Sequence, residues 1–318
     1  MRVSILFLFI LLASLISESG YAFGRKKTPI DSTEIADSTV EASKSAKKRY
    51  IDISVEYGSN FTYRNQIDQT SAADPYIYPN LYYKDKTGLW GSIGGYRLIN
   101  NYVDKLADGR DTSIAPDLIE TDFSAGWDYK FWGNTDVTLS YMFSIYNRKF
   151  PLVAQALRNT YEAYVGHDFK LINTGLRYDY CNQTFTATLK GKKVNVPVHD
   201  NYLMWETSRE WFFDDVFKTD DEFDLDPMFT VLAGTDNFIG QFIVARYPTS
   251  KTAATYAANA SKFLIQQFTL SVPVAYTIGN LTLTPDFEYT ILTQKVTETS
   301  PTRYPIYKFT AAYRFNFK

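Results

Sequence analysis

The 318-residue chain contains one cysteine and two histidines. A single thiol excludes a disulfide framework, and one thiol with two imidazoles cannot build the Cys/His clusters that hold zinc or iron–sulfur centres. No metal site and no cofactor is therefore expected. Net charge is also nearly absent, with 33 Lys and Arg against 35 Asp and Glu. Such a balance offers no strongly basic face to neutralise phosphates, which excludes nucleic acid as an expected partner. Beyond Ala22, no stretch approaches the ~20 consecutive apolar residues that a membrane-crossing helix needs. Aromatic residues, by contrast, are abundant: 25 Tyr and 23 Phe in a chain whose mean hydropathy is only −0.25. One class combines many large rings with an apparently polar average. It is the all-β transmembrane barrel, an up-and-down antiparallel sheet whose strands alternate lipid-facing aromatics with lumen-facing polar groups.

The N-terminus reads as a secretory signal peptide. Arg2 precedes the apolar run Ile5 to Leu12, and a small-residue exit ends at Gly20-Tyr21-Ala22, with cleavage expected after Ala22. A membrane anchor fits less well, because the run is too short to span a bilayer. Residues 23–49 are rich in Lys, Ser, Thr and acids without periodicity, and read as a disordered periplasmic arm. The division expected is 1–22 signal peptide, 23–49 arm and 50–318 barrel.

From Tyr50 the pattern has period two. Ile51, Ile53, Val55 and Tyr57 alternate with Asp52, Ser54 and Glu56. Ile119, Thr121, Phe123, Ala125, Trp127 and Tyr129 alternate with Glu120, Asp122, Ser124, Gly126, Asp128 and Lys130, and equivalent patterns cover 136–145, 223–234, 281–291 and 307–317. A soluble sandwich also alternates, but strands past ten residues match the 9–11 that a tilted membrane strand requires. Short turns at 85–88, 133–135, 171–173, 214–221 and 279–280 alternate with long connections at 65–74, 100–117, 148–159, 183–200, 237–262 and 294–303. With short turns periplasmic, this predicts twelve strands: 50–64, 75–84, 88–99, 118–131, 136–147, 160–170, 174–182, 201–213, 223–236, 263–278, 281–293 and 304–317. An even count with both ends on the periplasmic side is what a bacterial barrel needs. Pro79 and Gly91, Gly94 and Gly95 obscure the faces of strands two and three. Arg209 falls on the lipid face of strand eight, and Pro227, Pro273 and Pro285 each remove a ladder donor.

If the apolar set faces lipid, the opposite set lines the lumen. Its acids are Asp52, Glu56, Glu120, Asp122, Asp128, Glu162, Asp179, Glu206, Glu210, Asp224, Asp226, Asp286 and Glu288, and its bases are Lys130, Arg177, Lys308 and Arg314. Twelve strands ~4.8 Å apart at ~40° tilt give a backbone radius of roughly 12 Å and a lumen about 10 Å across.

Several short motifs carry a resemblance: Tyr63-Arg64, Gly88-Leu89-Trp90-Gly91, Glu120-Thr121-Asp122, Tyr161 to Gly166, Asp286-Phe287-Glu288-Tyr289, and Phe213 to Lys218 with Ala233 to Phe238. Together they resemble small uncharacterised outer-membrane β-barrel proteins of Bacteroidetes, similar to TorF-type porins. The resemblance implies the outer membrane of a Gram-negative bacterium, contact with its lipid, and a porin role. Such barrels often end on an aromatic residue read by the barrel-assembly machinery. Phe315 and Phe317 keep that alternation, although Lys318 follows them. Asp31-Ser32-Thr33 and Asp37-Ser38-Thr39 resemble the O-glycosylation triplet of Bacteroidetes, making Ser32 and Ser38 candidate acceptors.

The expected function is a narrow, cation-leaning channel for small solutes, since rings of carboxylates favour cations. The alternative is a closed-lumen structural or surface-interaction barrel. A lipid hydrolase is a third reading, and it needs a Ser–His pair. Only His167 and His199 are available, and neither sits in a Ser/His motif, so no catalytic residue is assigned.

Overall fold

In a computed structural model, residues 49–60, 62–63, 66–67, 75–105, 111–131, 134–147, 158–189, 192–246, 249–295 and 301–317 are described. Ala22, Ser32 and Ser38 lie outside them. Twelve antiparallel strands close into a barrel. We number its strands β1 (Arg49–Gly58), β2 (Tyr76–Lys84), β3 (Leu89–Leu98), β4 (Leu118–Phe131), β5 (Thr135–Tyr146), β6 (Asn159–Asp168), β7 (Asn173–Leu189), β8 (Lys192–Ser208, resuming at Trp211–Asp214), β9 (Asp221–Leu225, resuming at Met228–Gly234), β10 (Leu264–Ile278), β11 (Leu281–Leu292) and β12 (Arg303–Phe317). Neighbours in sequence are neighbours in the sheet, and β1 pairs both with β2 and, from Arg49↔Phe317 to Gly58↔Lys308, with β12. Closure leaves no barrel edge unpaired, the condition that hydrocarbon imposes on backbone N–H and C=O groups.

The period-two sequence sorts its side chains by face. In β1, Ile53, Val55 and Tyr57 are exposed, whereas Asp52, Ser54 and Glu56 are buried. The same sorting recurs at Leu139, Tyr161, Val165, Leu176, Phe287, Phe309 and Tyr313, all exposed and all apolar. An apolar outside around a polar inside is the inverse of a soluble protein and the signature of a membrane-spanning barrel. Near the turn end, Trp127, Tyr129 and Phe131 form a contiguous ring row, with centroids 5.2 and 4.6 Å apart. This is the arrangement of an interfacial girdle.

Turns at one end of the barrel are tight. Between β2 and β3 the Asp85 carboxylate accepts from the Thr87 amide and hydroxyl, both at 2.7 Å, and from the Leu89 amide at 3.1 Å. The Thr87 hydroxyl contributes most to holding this carboxyl below its ordinary range. Gly88, at φ 91°, closes the turn in a conformation that disfavours any side chain. Between β8 and β9 the Asp221 carboxylate gathers the amides of Val216, Phe217 and Lys218 at 2.7 to 3.0 Å.

The opposite, loop end departs from expectation in four places. Within the segment 183–200, expected as a loop, 183–189 and 192–200 are sheet: β7 and β8 stay paired out to Leu189↔Lys192. A hairpin that continues past the membrane needs no apolar face, so the lipid-facing alternation that marks a membrane strand is not required of it. The connection 237–262 forms two helices, α1 (Asn237–Arg246) and α2 (Lys251–Asn259). The first strand ends at Gly58, and Thr62–Tyr63 pairs with Gln66–Ile67 in a hairpin of its own, as Tyr102–Lys105 does with Asp111–Ile114.

The suspect prolines have a local effect. Pro227 separates the two parts of β9, and opposite it Arg209–Glu210 separates the two parts of β8. The register nevertheless continues unshifted on both sides, from Tyr202↔Gly234 through to Asp214↔Glu222. Arg209 is half-buried, with its guanidinium 5.3 Å from the Trp211 ring centre, and so lies over an aromatic face.

Leu139 lies near mid-height of β5 and is half exposed on the outer face. Leu139→Arg is expected to lower folding stability by about 2–4 kcal/mol, the cost of an arginine at the bilayer midplane. Urea unfolding from lipid vesicles, followed by tryptophan fluorescence, measures it against the wild type.

Candidate functional site in the barrel interior

The inner wall carries the side chains that oppose the lipid-facing set. Asp52, Glu56, Glu120, Asp122, Asp179, Glu206 and Asp224 are buried there, and Asp128, Glu162, Glu210, Asp226, Asp286 and Glu288 are half-buried. Of the bases, Arg314 is buried, Arg177 and Lys308 are half-buried, and Lys130 is exposed at the turn-end rim.

Pairing brings opposite charges together along the ladders. Asp52 and Arg314 are direct cross-strand partners, and the guanidinium grips the carboxylate through two bonds, Nε–Oδ1 at 2.9 Å and Nη2–Oδ2 at 2.7 Å. The same guanidinium carbon stands 3.9 Å from the Tyr50 ring centre. Lys308 of β12 reaches diagonally to Glu288 of β11 at 2.5 Å, while Asp286, directly opposite Lys308, accepts from the Ser271 hydroxyl at 2.9 Å. Glu56 accepts from Tyr76 at 2.6 Å. Arg177 sits between Asp179, 3.4 Å away, and Glu162, 3.7 Å away. Lys130 faces Asp136 across the β4–β5 ladder at 3.7 Å. Lys84 of β2 reaches over β3 to Asp128 of β4 at 2.5 Å, and the Trp90 indole N–H and Thr138 hydroxyl donate to the same carboxylate at 3.0 and 2.9 Å. Lys84 was not among the bases read from the sequence, because strand two could not be assigned a face.

Large side chains narrow the bore. Tyr82 and Trp90 stack inside with centroids 5.8 Å apart, and Tyr96 packs between Tyr76 and Tyr78. The open width of about 10 Å that the backbone radius allows is thereby reduced. A cavity of about 130 Å³ remains within the wall formed by β3 to β6, lined by Trp90, Ser124, Asp128, Thr138, Thr160 and Glu162 among others.

Towards the loop end the inner wall changes character. Tyr76, Leu98, Ile119, Tyr146, Cys181, Val198, Tyr202, Met204 and Leu232 are all buried, and they form one cluster with Phe238, Ile239 and Ile243 of α1 and Ala253 and Tyr256 of α2. The helices pack inside the mouth of the barrel. Ile119, assigned to the lipid face by alternation, is therefore an interior residue. A bulge explains the reversal: Tyr96 pairs Glu120 but Arg97 pairs Leu118, so Ile119 is the extra residue and joins Glu120 on the inside. A second bulge, between Leu232 and Ala233, likewise lets Gln266 and Gln267 both lie buried.

His167 is half-buried near a turn, its Nδ1 2.8 Å from the Thr135 hydroxyl and its ring against Phe169. His199 is exposed, its ring 6.1 Å from that of Tyr180. Among the described residues, no group of three or more His, Cys, Asp and Glu is arranged to hold a metal ion.

No family model and no curated protein matches the chain in sequence. Among solved structures it is similar to the NanC porin (12% identity, TM-score 0.43, covering 83% of this chain and 98% of that one). It is also similar to the KdgM porin (10%, 0.42, 84% and 99%) and to LpxR from Salmonella typhimurium (9%, 0.43, 83% and 99%). The fold of the present chain stands on its own strand pairing and burial.

Removing one partner of a buried bidentate pair leaves an uncompensated charge, which typically costs about 3–5 kcal/mol. Arg314→Met is therefore expected to destabilise the barrel by roughly that amount, and Asp52→Asn in the same chain to restore most of it. Unfolding midpoints of the single and double variants in one detergent provide the comparison.

Proposed function

We propose that the protein is an outer-membrane barrel of a Gram-negative bacterium of the Bacteroidetes, with its tight turns in the periplasm, and that its interior is a narrow, cation-leaning passage for small solutes. The observation that carries this reading is the charge of the inner wall. Lys84, Lys130, Arg177, Lys308 and Arg314 each face a carboxylate. The inward carboxylates outnumber these bases, and Asp224 of β9 and Asp226, beside Pro227 at the break in that strand, add two more carboxyls at the turn-side half. A low-dielectric tube with surplus carboxylates lowers the energy of a cation inside it and raises that of an anion. The exposed Phe315 and Phe317 at the turn end of β12 support a role in recognition by the barrel-assembly machinery. Outward aromatics and aliphatics support contact with outer-membrane lipid.

A second reading, a closed barrel with a structural or surface role, is favoured by the interior ion pairs and by the packed mouth. Current through the protein in a planar bilayer separates the two readings. The passage reading expects a reversal potential of cationic sign in a KCl gradient. In the Asp224→Asn/Asp226→Asn variant the cation preference is expected to fall by roughly twofold. Anion preference in the wild type sinks the cation-leaning passage.

A further inference from the structure

The apolar ring at the mouth has no use in a wall that meets water. Tyr76, Leu98, Ile119, Tyr146, Met204 and Leu232 come from six different strands, β2 to β5 with β8 and β9, and all point inward. Facing solvent, each would forfeit the free energy gained by taking its apolar surface out of water. One connection, between β9 and β10, contributes Phe238, Ile239, Ile243, Ala253 and Tyr256 to the same buried cluster, and Ile114 of the 102–114 hairpin packs against it.

That connection is built as a single compact body. Ser250 caps α2 by accepting the Ala253 amide at 3.0 Å. Gly240 of α1 lies so near Ala260 that a Cβ at residue 240 would stand 2.4 Å from the alanine methyl, so the two helices touch without room for a larger residue. The outer side of α2 is wet, with Lys251, Ala254, Thr255 and Ala258 exposed, while Ala253 and Tyr256 face the barrel. The body is fastened to the wall at its base. The fully buried Asp200 of β8 caps α1, accepting the Asn237 amide at 2.6 Å and the Phe238 amide at 3.1 Å. Asp236 accepts from Tyr202 of β8 at 3.4 Å and also from the Tyr256 hydroxyl, tying α2 back to the start of α1.

We propose that the α1–α2 hairpin is a resident plug seated in the external mouth, latched by the Tyr256–Asp236 hydrogen bond, and that solutes traverse the barrel only when it is displaced. This rests on the passage reading, and it names the regulation of that passage. The plug has its own native reporter. Cys181, the sole cysteine, lies on the inner wall within the same buried cluster and has no exposed surface.

Two variants test the proposal. In one, residues 239–259 are replaced by a short Gly-Ser linker; in the other, Tyr256→Phe removes the latch hydroxyl and keeps the ring. Each is refolded, checked for the faster migration of an unheated barrel in a detergent gel, and treated with a charged, water-soluble methanethiosulfonate. Cys181 is expected to react at least ~10-fold faster in the linker variant than in the full chain, with an intermediate rate in Tyr256→Phe. Single-channel conductance should rise in the same order. Equal Cys181 rates in the full chain and both variants would overturn the plug, and if the linker variant does not refold the Tyr256→Phe rate decides alone. Unprotected Cys181 in a bilayer that stays silent for every variant leaves the plug standing and removes the passage reading instead.

Discussion

Closure of the sheet is the constraint on which everything else depends. Within hydrocarbon, a strand whose N–H and C=O groups lack partners costs several kcal/mol per group, so the ladder between β1 and β12 must form. That ladder runs from Arg49↔Phe317 to Gly58↔Lys308 without a shift, joining the first strand of the barrel to the last. Once it is set, parity follows around the ring. A slip of one residue in β1 against its neighbours would turn Ile53 and Val55 inward and drive Asp52 and Glu56 into lipid. The placement of these carboxylates on the inner wall is thus a consequence of pairing as much as of composition.

Inside, the structure is segregated along the barrel axis. The charges concentrate in the middle and turn-side half and extend to Lys308 opposite Gly58, with partners facing one another across a ladder, as in Asp52↔Arg314 and Lys130↔Asp136, or along its diagonal, as in Lys308 with Glu288. Ties of this kind cross-link neighbouring strands, and Lys84 with Asp128 reaches over a strand between them. The loop-side third is largely apolar and holds two helices, although Glu56, bonded to Tyr76, and Glu120, opposite Tyr146, lie at the same level. The two zones make different demands: charges taken inside need partners, whereas an apolar ring requires a cover.

Much of this was legible in the residues. Strands with clean alternation, such as 50–57, 281–291 and 307–317, could be assigned a face from the pattern, because the outward positions are apolar and the inward ones, Ala312 apart, almost all carry polar groups. Strand two could not, since Pro79 and a run of tyrosines mask its parity, and Lys84 was missed for that reason. Ile119 misled for a different cause. Alternation assumes a regular ladder, and the extra residue of a bulge reverses parity with no sign in the local sequence. The rule that apolar means lipid-facing also fails at the mouth, where Tyr76, Leu98 and Tyr146 are covered by the chain itself.

By itself the sequence determined the class and the number of strands, because a membrane strand must repeat every two residues and must turn tightly at one end. The contents of the mouth were decided only by tertiary structure. The stretch 237–262 combines an apolar first half with an alanine-rich second half, neither marked as helix or loop by strong periodicity. It folds as two helices because an apolar ring contributed by strands distant in sequence offers Phe238, Ile239 and Ile243 a place to be buried. Which charges pair, and across how many strands, likewise follows from register, and register is a property of the closed sheet.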